Sequence, residues 1–193
     1  MLIRSLQSVV QREQALSRFL PAGTSGLMRR WMSGKLLGMA DIYIPYRLYK
    51  VNIEDRRLRS ARLLAVDALS GNLDPFEFAE SPIDNRCTDI ETRNYLPAQL
   101  SESETHVAAL AKFRRLVFSA GFFRLARPVI SVELIESDLF IPYWAGFYGE
   151  EKSVSVLMLD AIRGTIEGGQ ITNSVKAWLH DAMAAPLSRG CAR

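Results

Sequence analysis

Two aspartates stand where a pair of carboxylates could do chemistry. Val66-Asp67-Ala68-Leu69-Ser70-Gly71 and Leu159-Asp160-Ala161-Ile162-Arg163-Gly164 are versions of one short segment. Facing carboxylates could act as general acid and base, or share a metal ion. Either role needs a histidine, a cysteine or further carboxylates nearby, and no histidine follows this pattern. The same residues also suit a turn. An aspartate that ends a strand can accept backbone N–H bonds within a tight loop, and the glycine that follows supplies positive φ. We therefore expect Asp67, Gly71, Asp160 and Gly164 to be turn formers, with no catalytic residue, no metal and no cofactor.

The second set of candidates is aromatic. Tyr43, Tyr46 and Tyr49 lie on one segment with Arg47, and Phe140, Tyr143, Trp144, Phe147 and Tyr148 lie on another. Strand alternation gives Tyr43, Arg47, Tyr49, Phe140, Trp144 and Tyr148 one class of face. These rings either pack against helices or the facing half, or line a groove where a partner peptide or flat ligand stacks beside Arg47. Arg29-Arg30-Trp31 with Lys35, and Arg56-Arg57-Leu58-Arg59, could touch phosphates. No aromatic-interleaved RNA motif or reading helix accompanies them, so nucleic acid is disfavoured as a partner. The glycines of Gly164–Gly169 precede no Gly-Lys-Ser/Thr and form no phosphate loop. His106, His180, Cys87 and Cys191 each stand alone, and none pairs a nucleophile with a base. A disulfide between the cysteines stays open, reduced thiols being the simpler state. The chain reads as leaning away from an enzyme.

The elements that would position these residues occur twice. Asp41-Ile42-Tyr43-Ile44-Pro45-Tyr46 returns as Asp138-Leu139-Phe140-Ile141-Pro142-Tyr143, and Ala15–Phe19 is echoed by Ala109–Phe113. With the aspartate turns, that makes three matches in the same order, as in a duplicated unit. Each copy opens on an amphipathic helix. Leu6, Val9, Val10, Leu16, Phe19 and Leu20 form one stripe, stopped by Pro21, Gly23 and Gly26; Val107, Leu110, Ala111, Phe113, Leu116 and Val117 form the other, behind a capping box at Ser101–Glu104. A strand follows (34–39, or Val129–Ile135), then the Ile-Pro-Tyr strand, then a polar turn and a returning strand ending at Asp67 or Asp160. Proline within a strand belongs at an edge, a strand start or a bulge. Gly168-Gly169 precedes a last helix in which Val175, Trp178, Leu179 and Met183 could cover the core, and Pro186 begins a frayed tail. The expected fold class is α+β: an α-β-β-β unit present twice with pseudo-twofold symmetry, its antiparallel strands in one continuous sheet of about six or in two packed sheets, with helices on one face. Residues 1–78 form the first repeat, 79–100 an acidic connector and 101–193 the second repeat with its C-terminal helix.

A helix followed by an extended strand and a strand ending in Val-Asp-Ala-x-x-Gly resembles the PepSY-type module. The resemblance covers about 40 residues of each half and rests on Val66–Gly71 and Leu159–Gly164. It implies a small α/β module that acts by binding, often to regulate another protein, with no catalytic residues to carry over. The Ile-Pro-Tyr strand is not part of that pattern.

Composition allows this organisation. The chain has 193 residues, 48% hydrophobic and 23% charged, with net charge +3. Residues 1–50 carry eight Lys/Arg against Glu13 and Asp41, whereas residues 72–105 carry eight acids against Arg86 and Arg93. The acidic stretch reads as a solvated connector; a basic N-terminal half that meets an anion is the other reading. The apolar run Leu116–Phe123, flanked by arginines, reads as a buried helix end before an interfacial segment. The N-terminus lacks the pattern of an export signal and no stretch reaches transmembrane length, so a cytoplasmic protein is expected. The functional expectation is a binding or assembly module whose partner is another protein or a second copy. The alternative is a small-molecule-binding protein or enzyme with a pocket between the repeats.

Overall fold

The computed structural model describes residues 1–20, 34–55, 58–119, 129–150 and 153–184. Gly23, Gly26, Arg29-Arg30-Trp31, Arg56-Arg57, the run from Ala120 to Phe123, Pro186 onward and Cys191 lie outside them. The described chain runs β1 (Leu2–Leu6), α1 (Arg12–Phe19), β2 (Lys35–Asp55), β3 (Leu58–Asp67), β4 (Phe76–Phe78), β5 (Cys87–Glu91), α2 (Glu102–Ser119), β6 (Val129–Glu150), β7 (Ser153–Asp160) and α3 (Gly169–Ala184). It is an α+β fold in which seven strands make one curled sheet, in the order β4-β3-β2-β6-β1-β5, with β7 also on β6.

Two long strands dominate this sheet. The pair of strands expected before each turn is a single strand, of 21 residues in β2 and 22 in β6. No proline or glycine pair interrupts either at the expected break, and the chain bends through register shifts near Leu36/Gly38, Tyr46/Leu48 and Leu48/Tyr49 instead. β2 and β6 pair antiparallel almost throughout. Ile44 lies opposite Ile141, Tyr43 opposite Pro142 and Pro45 opposite Phe140. Both prolines therefore sit in central strands, where a missing N–H would normally break a ladder. They are tolerated because each falls where one outer neighbour gives way to the next. Beside Tyr43 lies Tyr95, and β3 ends opposite Tyr46; beside Phe140 lies Ser5 of β1, and β7 ends opposite Tyr143. The proline carbonyls still accept, from Ala68 N at 2.9 Å and Ala161 N at 3.2 Å.

The sheet is mixed rather than purely antiparallel, because β1 runs parallel to β6. Leu2–Leu6 is a strand and not the start of the first helix. Ile3 and Leu6 are buried, β5 pairs with it antiparallel, and α1 begins only at Arg12. Residues 87–91 of the acidic stretch thus complete the sheet, and Leu96 is buried in the core.

Helices cover both faces, not one. Ile42, Ile44, Tyr46, Leu48, Leu139, Ile141, Tyr143 and Ala145 meet Ile171 and Val175 of α3, with Trp178 and Leu179 at the margin. On the opposite face Ala109 and Phe113 of α2 pack on Tyr49, Val51, Leu64 and Val66, while Ala15 and Phe19 of α1 pack on Tyr148 and Leu159. Each early helix therefore covers the hairpin that is remote from it in sequence. Burial of such apolar side chains, roughly 1.5–3 kcal/mol for each large one, is what holds the helices to the sheet.

Candidate functional site

The six residues expected to form a groove are brought onto one face and then divided among three buried places. Tyr43 and Phe140 pack with Ile3, Ile90 and Tyr95; the Tyr95 and Phe140 rings meet edge to face at 6.1 Å. Burial, with help from the charge of Asp41, pushes the Tyr43 hydroxyl up to about 12. Tyr49 lies under α2 with its ring 6.0 Å from that of His106, whose Nε2 lies 3.2 Å from the Val132 carbonyl. Tyr148 donates to Phe19 O at 2.7 Å.

Arg47 and Trp144 act as straps on the helix starts. The Arg47 guanidinium donates to Leu100 O at 2.9 Å and Ser101 O at 3.0 Å, and also to the Thr105 hydroxyl. Trp144 Nε1 donates to Val10 O at 2.9 Å. The backbone repeats this arrangement: Gln99 N and Leu100 N donate to Ala68 O, and Val9 N and Val10 N donate to Ala161 O. These bonds tie the segments that lead into α1 and α2 to the sheet and so set the position of both helices. Tyr43, Arg47, Tyr49, Phe140 and Tyr148 are buried beneath α1, α2 and β1, and Trp144 is half-buried at the margin of α1.

The aspartate turns lie at the ends of β3 and β7, beside a buried tyrosine pair. Tyr46 and Tyr143 touch hydroxyl to hydroxyl at 3.0 Å and lie opposite Asp67 and Asp160 respectively. Asp67 Oδ1 accepts from the N–H groups of Leu69, Ser70 and Gly71, and Oδ2 accepts from Leu73 N at 2.9 Å. Asp160 Oδ1 accepts from Ile162 N and Arg163 N, while its Oδ2 is buried with no hydrogen-bond partner. Gly71 and Gly164 have φ of 67° and 70°. That region costs a side-chain-bearing residue about 1–2 kcal/mol. Burial raises the Asp160 carboxyl above the usual carboxylate range, against the pull of its two N–H donors and Arg163.

From this second turn a cleft opens, which residue spacing did not reveal. It measures about 590 Å³ and is lined by Asp74, Pro75 and Glu77 on one side and Arg163, Thr165, Ile166, Glu167 and Gly168 on the other. Arg163 crosses it. Its guanidinium carbon lies 3.7 Å above the Phe76 ring centre, its Nη2 donates to Pro75 O, and its Nε is 3.9 Å from Asp160 Oδ2. Such stacking favours a cation over a phenyl face. Glu167 is raised above the usual range, first by burial and then by the negative charge of Asp160. The one signal for this site in the sequence was Arg163 itself, which stands in Leu159–Gly164 where the similar segment Val66–Gly71 has Ser70.

Among the described residues no group of three or more His, Cys, Asp or Glu side chains could hold a metal ion. Cys87 is half-buried, and burial raises its thiol. Among the described residues no helix is long and apolar enough to cross a membrane. No family model, no curated protein and no solved structure matches this chain.

Proposed function

We propose that the chain is a non-catalytic binding module, made of two fused copies of one unit, that receives its partner at the Arg163 cleft. The observation that carries this reading is the makeup of the cleft: one wall comes from the first copy and the other from the second, and Arg163 stacks on Phe76 across the junction. A concave junction where a few polar groups converge is the usual place for a ligand. The duplication is supported by the pairing of Ile44 with its counterpart Ile141, which is where a local twofold would pass through the β2–β6 ladder. The matched bonds of Arg47 to Leu100 O and Trp144 to Val10 O, and of both helix starts to Ala68 O and Ala161 O, support it further. The resemblance of Val66–Gly71 and Leu159–Gly164 to PepSY-type modules fits a regulatory binding role. The partner in this reading is another protein or a second copy before a small molecule.

Capture from native cell extract tests the reading. The wild-type chain and the charge-reversed Glu167→Lys variant, matched in thermal stability, are compared by mass spectrometry of retained proteins and small molecules. Retention of a partner by the wild type and its loss from the variant is expected. An unchanged inventory defeats the reading. Recovery of a metabolite alone, with a monomer in solution, transfers the proposal to the alternative of a small-molecule-binding protein or enzyme. The specific observation favouring that alternative is that Glu167 on the cleft wall and Asp160 buried behind Arg163, both raised by burial, interact with one another.

A further inference from the structure

The sheet ends in two margins beside the second half of β2. On one side β3 carries β4, next to the Arg163 cleft. On the other side lies the first part of β6. β1 joins β6 at Leu139 and Phe140 and β7 joins it from Tyr143 onward, so among the described residues no strand pairs with the outer side of Val129–Ile135. The register fixes which backbone groups lie on that side. Pro45 O accepts from Ala68 N, and β2 pairs with β3 without a shift from Tyr46 to Asp55. Tyr49, Val51 and Ile53 therefore turn their backbone groups to β3, and Lys50, Asn52 and Glu54 turn theirs to Glu133, Ser131 and Val129 of β6. That leaves the N–H and C=O groups of Ile130, Val132 and Leu134 pointing outward, where His106 Nε2 stands 3.2 Å from Val132 O.

Exposed edges are normally blunted by charges, prolines or bulges. The outer side of Lys35–Asp41 in β2 is blunted in this way, by a register shift at Leu36/Gly38 between Lys35 and Asp41. Val129–Leu134 has no lysine, proline or bulge and follows β2 in one register. Its one charge, Glu133, lies opposite Lys50 in that ladder. Val129 and Ile135 are 67% and 40% exposed, and Ile130, Val132 and Leu134 are only partly covered by the cluster beneath α2.

We propose that Val129–Ile135 is a dimerisation edge, which pairs antiparallel with the same strand of a second copy of this chain about a twofold axis at Val132. The edge is complementary to itself in that register. Ile130 pairs with Leu134 through the outward backbone groups. Val129 meets Ile135 and Ser131 meets Glu133 in the pairs where side chains come closest. A register two residues away sets Glu133 against Glu133 in one direction and against Val129 in the other. Both copies of Ile130, Val132 and Leu134 then form one apolar layer on the α2 side of the joined sheet. Such an interface is isologous and closes at two. The inference goes beyond the cleft reading and uses none of the cleft residues.

Sedimentation equilibrium of the full chain, at fixed ionic strength, reads the association directly. A monomer–dimer equilibrium is expected for the wild type. Ile135→Lys, at an exposed position, should weaken it at least about tenfold by setting a charge against Val129. Val132→Pro removes an outward N–H that the ladder with β2 does not use, so this variant should keep its native circular dichroism and lose the dimer. Ser131→Lys should tighten the dimer by facing Glu133, and Ser131→Glu should weaken it. Glu167→Lys, in the cleft, should dimerise like the wild type. A wild type that stays monomeric up to about 1 mM overturns the proposal. A dimer that Ile135→Lys leaves intact, or one on which the two Ser131 variants act alike, overturns it as well. Loss of the dimer in Glu167→Lys would put the second copy at the cleft and sink the edge.

Discussion

Asp67 sits in a loop that donates to both of its carboxylate oxygens, whereas Asp160 sits in a loop that donates to one. The difference begins after the glycine. Beyond Gly71 the chain continues outward, which brings Leu73 N to Oδ2. Beyond Gly164 it folds straight back onto β7, with Asp160 N bonded to Thr165 O and Glu167 N to Met158 O. Glu167 N is taken up in that pairing and does not reach Asp160 Oδ2. Where the first loop places Ser70 Oγ 3.3 Å from its aspartate, the second sends Arg163 out across the cleft. One short motif therefore yields a closed turn in one place and an open, charged mouth in another.

The strongest way to break this comparison is to delete each carboxylate. Asp67→Ala leaves four N–H groups without their acceptor, those of Leu69, Gly71 and Leu73 at buried residues, and should cost more than about 3 kcal/mol. Asp160→Ala removes two such bonds and also removes a buried charge, so about 1 kcal/mol is expected. Urea unfolding of both variants measures the gap. Equal costs would mean that the two turns are held alike, contrary to their hydrogen bonding.

Much of the frame was legible in residue order. The repeated Ile-Pro-Tyr segments are read as strands from their alternation, and both lie in strands that share one ladder. Alternation also put Tyr43, Arg47, Tyr49, Phe140, Trp144 and Tyr148 on one face, which is local geometry. What covers that face is decided by the docking of α1 and α2 on hairpins remote in sequence, and periodicity carries no such information. The same limit hid β1, whose five residues gain strand character from their partners β5 and β6. The cleft was hidden because Asp74–Glu77 and Arg163–Gly168 meet only when β4 joins β3 and the chain after β7 doubles back.

A second comparison sets Arg47 against Trp144. Arg47 holds the start of α2 by bonds to two carbonyls and a hydroxyl, so Arg47→Met should cost about 2–3 kcal/mol. Trp144 holds the start of α1 by a single bond, and Trp144→Phe should cost about 1–2 kcal/mol. Native-state hydrogen exchange sharpens the test. Amides at 102–106 should lose protection in the first variant and those at 12–16 in the second. Loss spread evenly over both helices would sink the idea of separate straps.

The smallest expected effect is on the pH dependence of stability, and it isolates Asp160. Its carboxyl is raised in the folded protein, first by burial, while the unfolded chain titrates in the ordinary range. Between those two points the native state binds more protons than the unfolded one, so stability falls as pH rises. This contribution is complete below the unfolded value and is lost as pH rises through the folded one. It cannot exceed one proton, or about 1.4 kcal/mol per pH unit. Glu167 is raised too and slopes the same way, whereas the Glu104 carboxyl, lowered by its bonds to Ser101, slopes the other way. The informative quantity is therefore wild type minus Asp160→Asn, measured by urea unfolding from mildly acid to neutral pH. The amide can still accept from Ile162 N and Arg163 N but has no proton to lose. The difference should shift steadily in favour of the variant as pH rises. A flat difference would mean that Asp160 ionises in the folded protein as it does in water, and that Arg163 at 3.9 Å balances the burial of its charge after all.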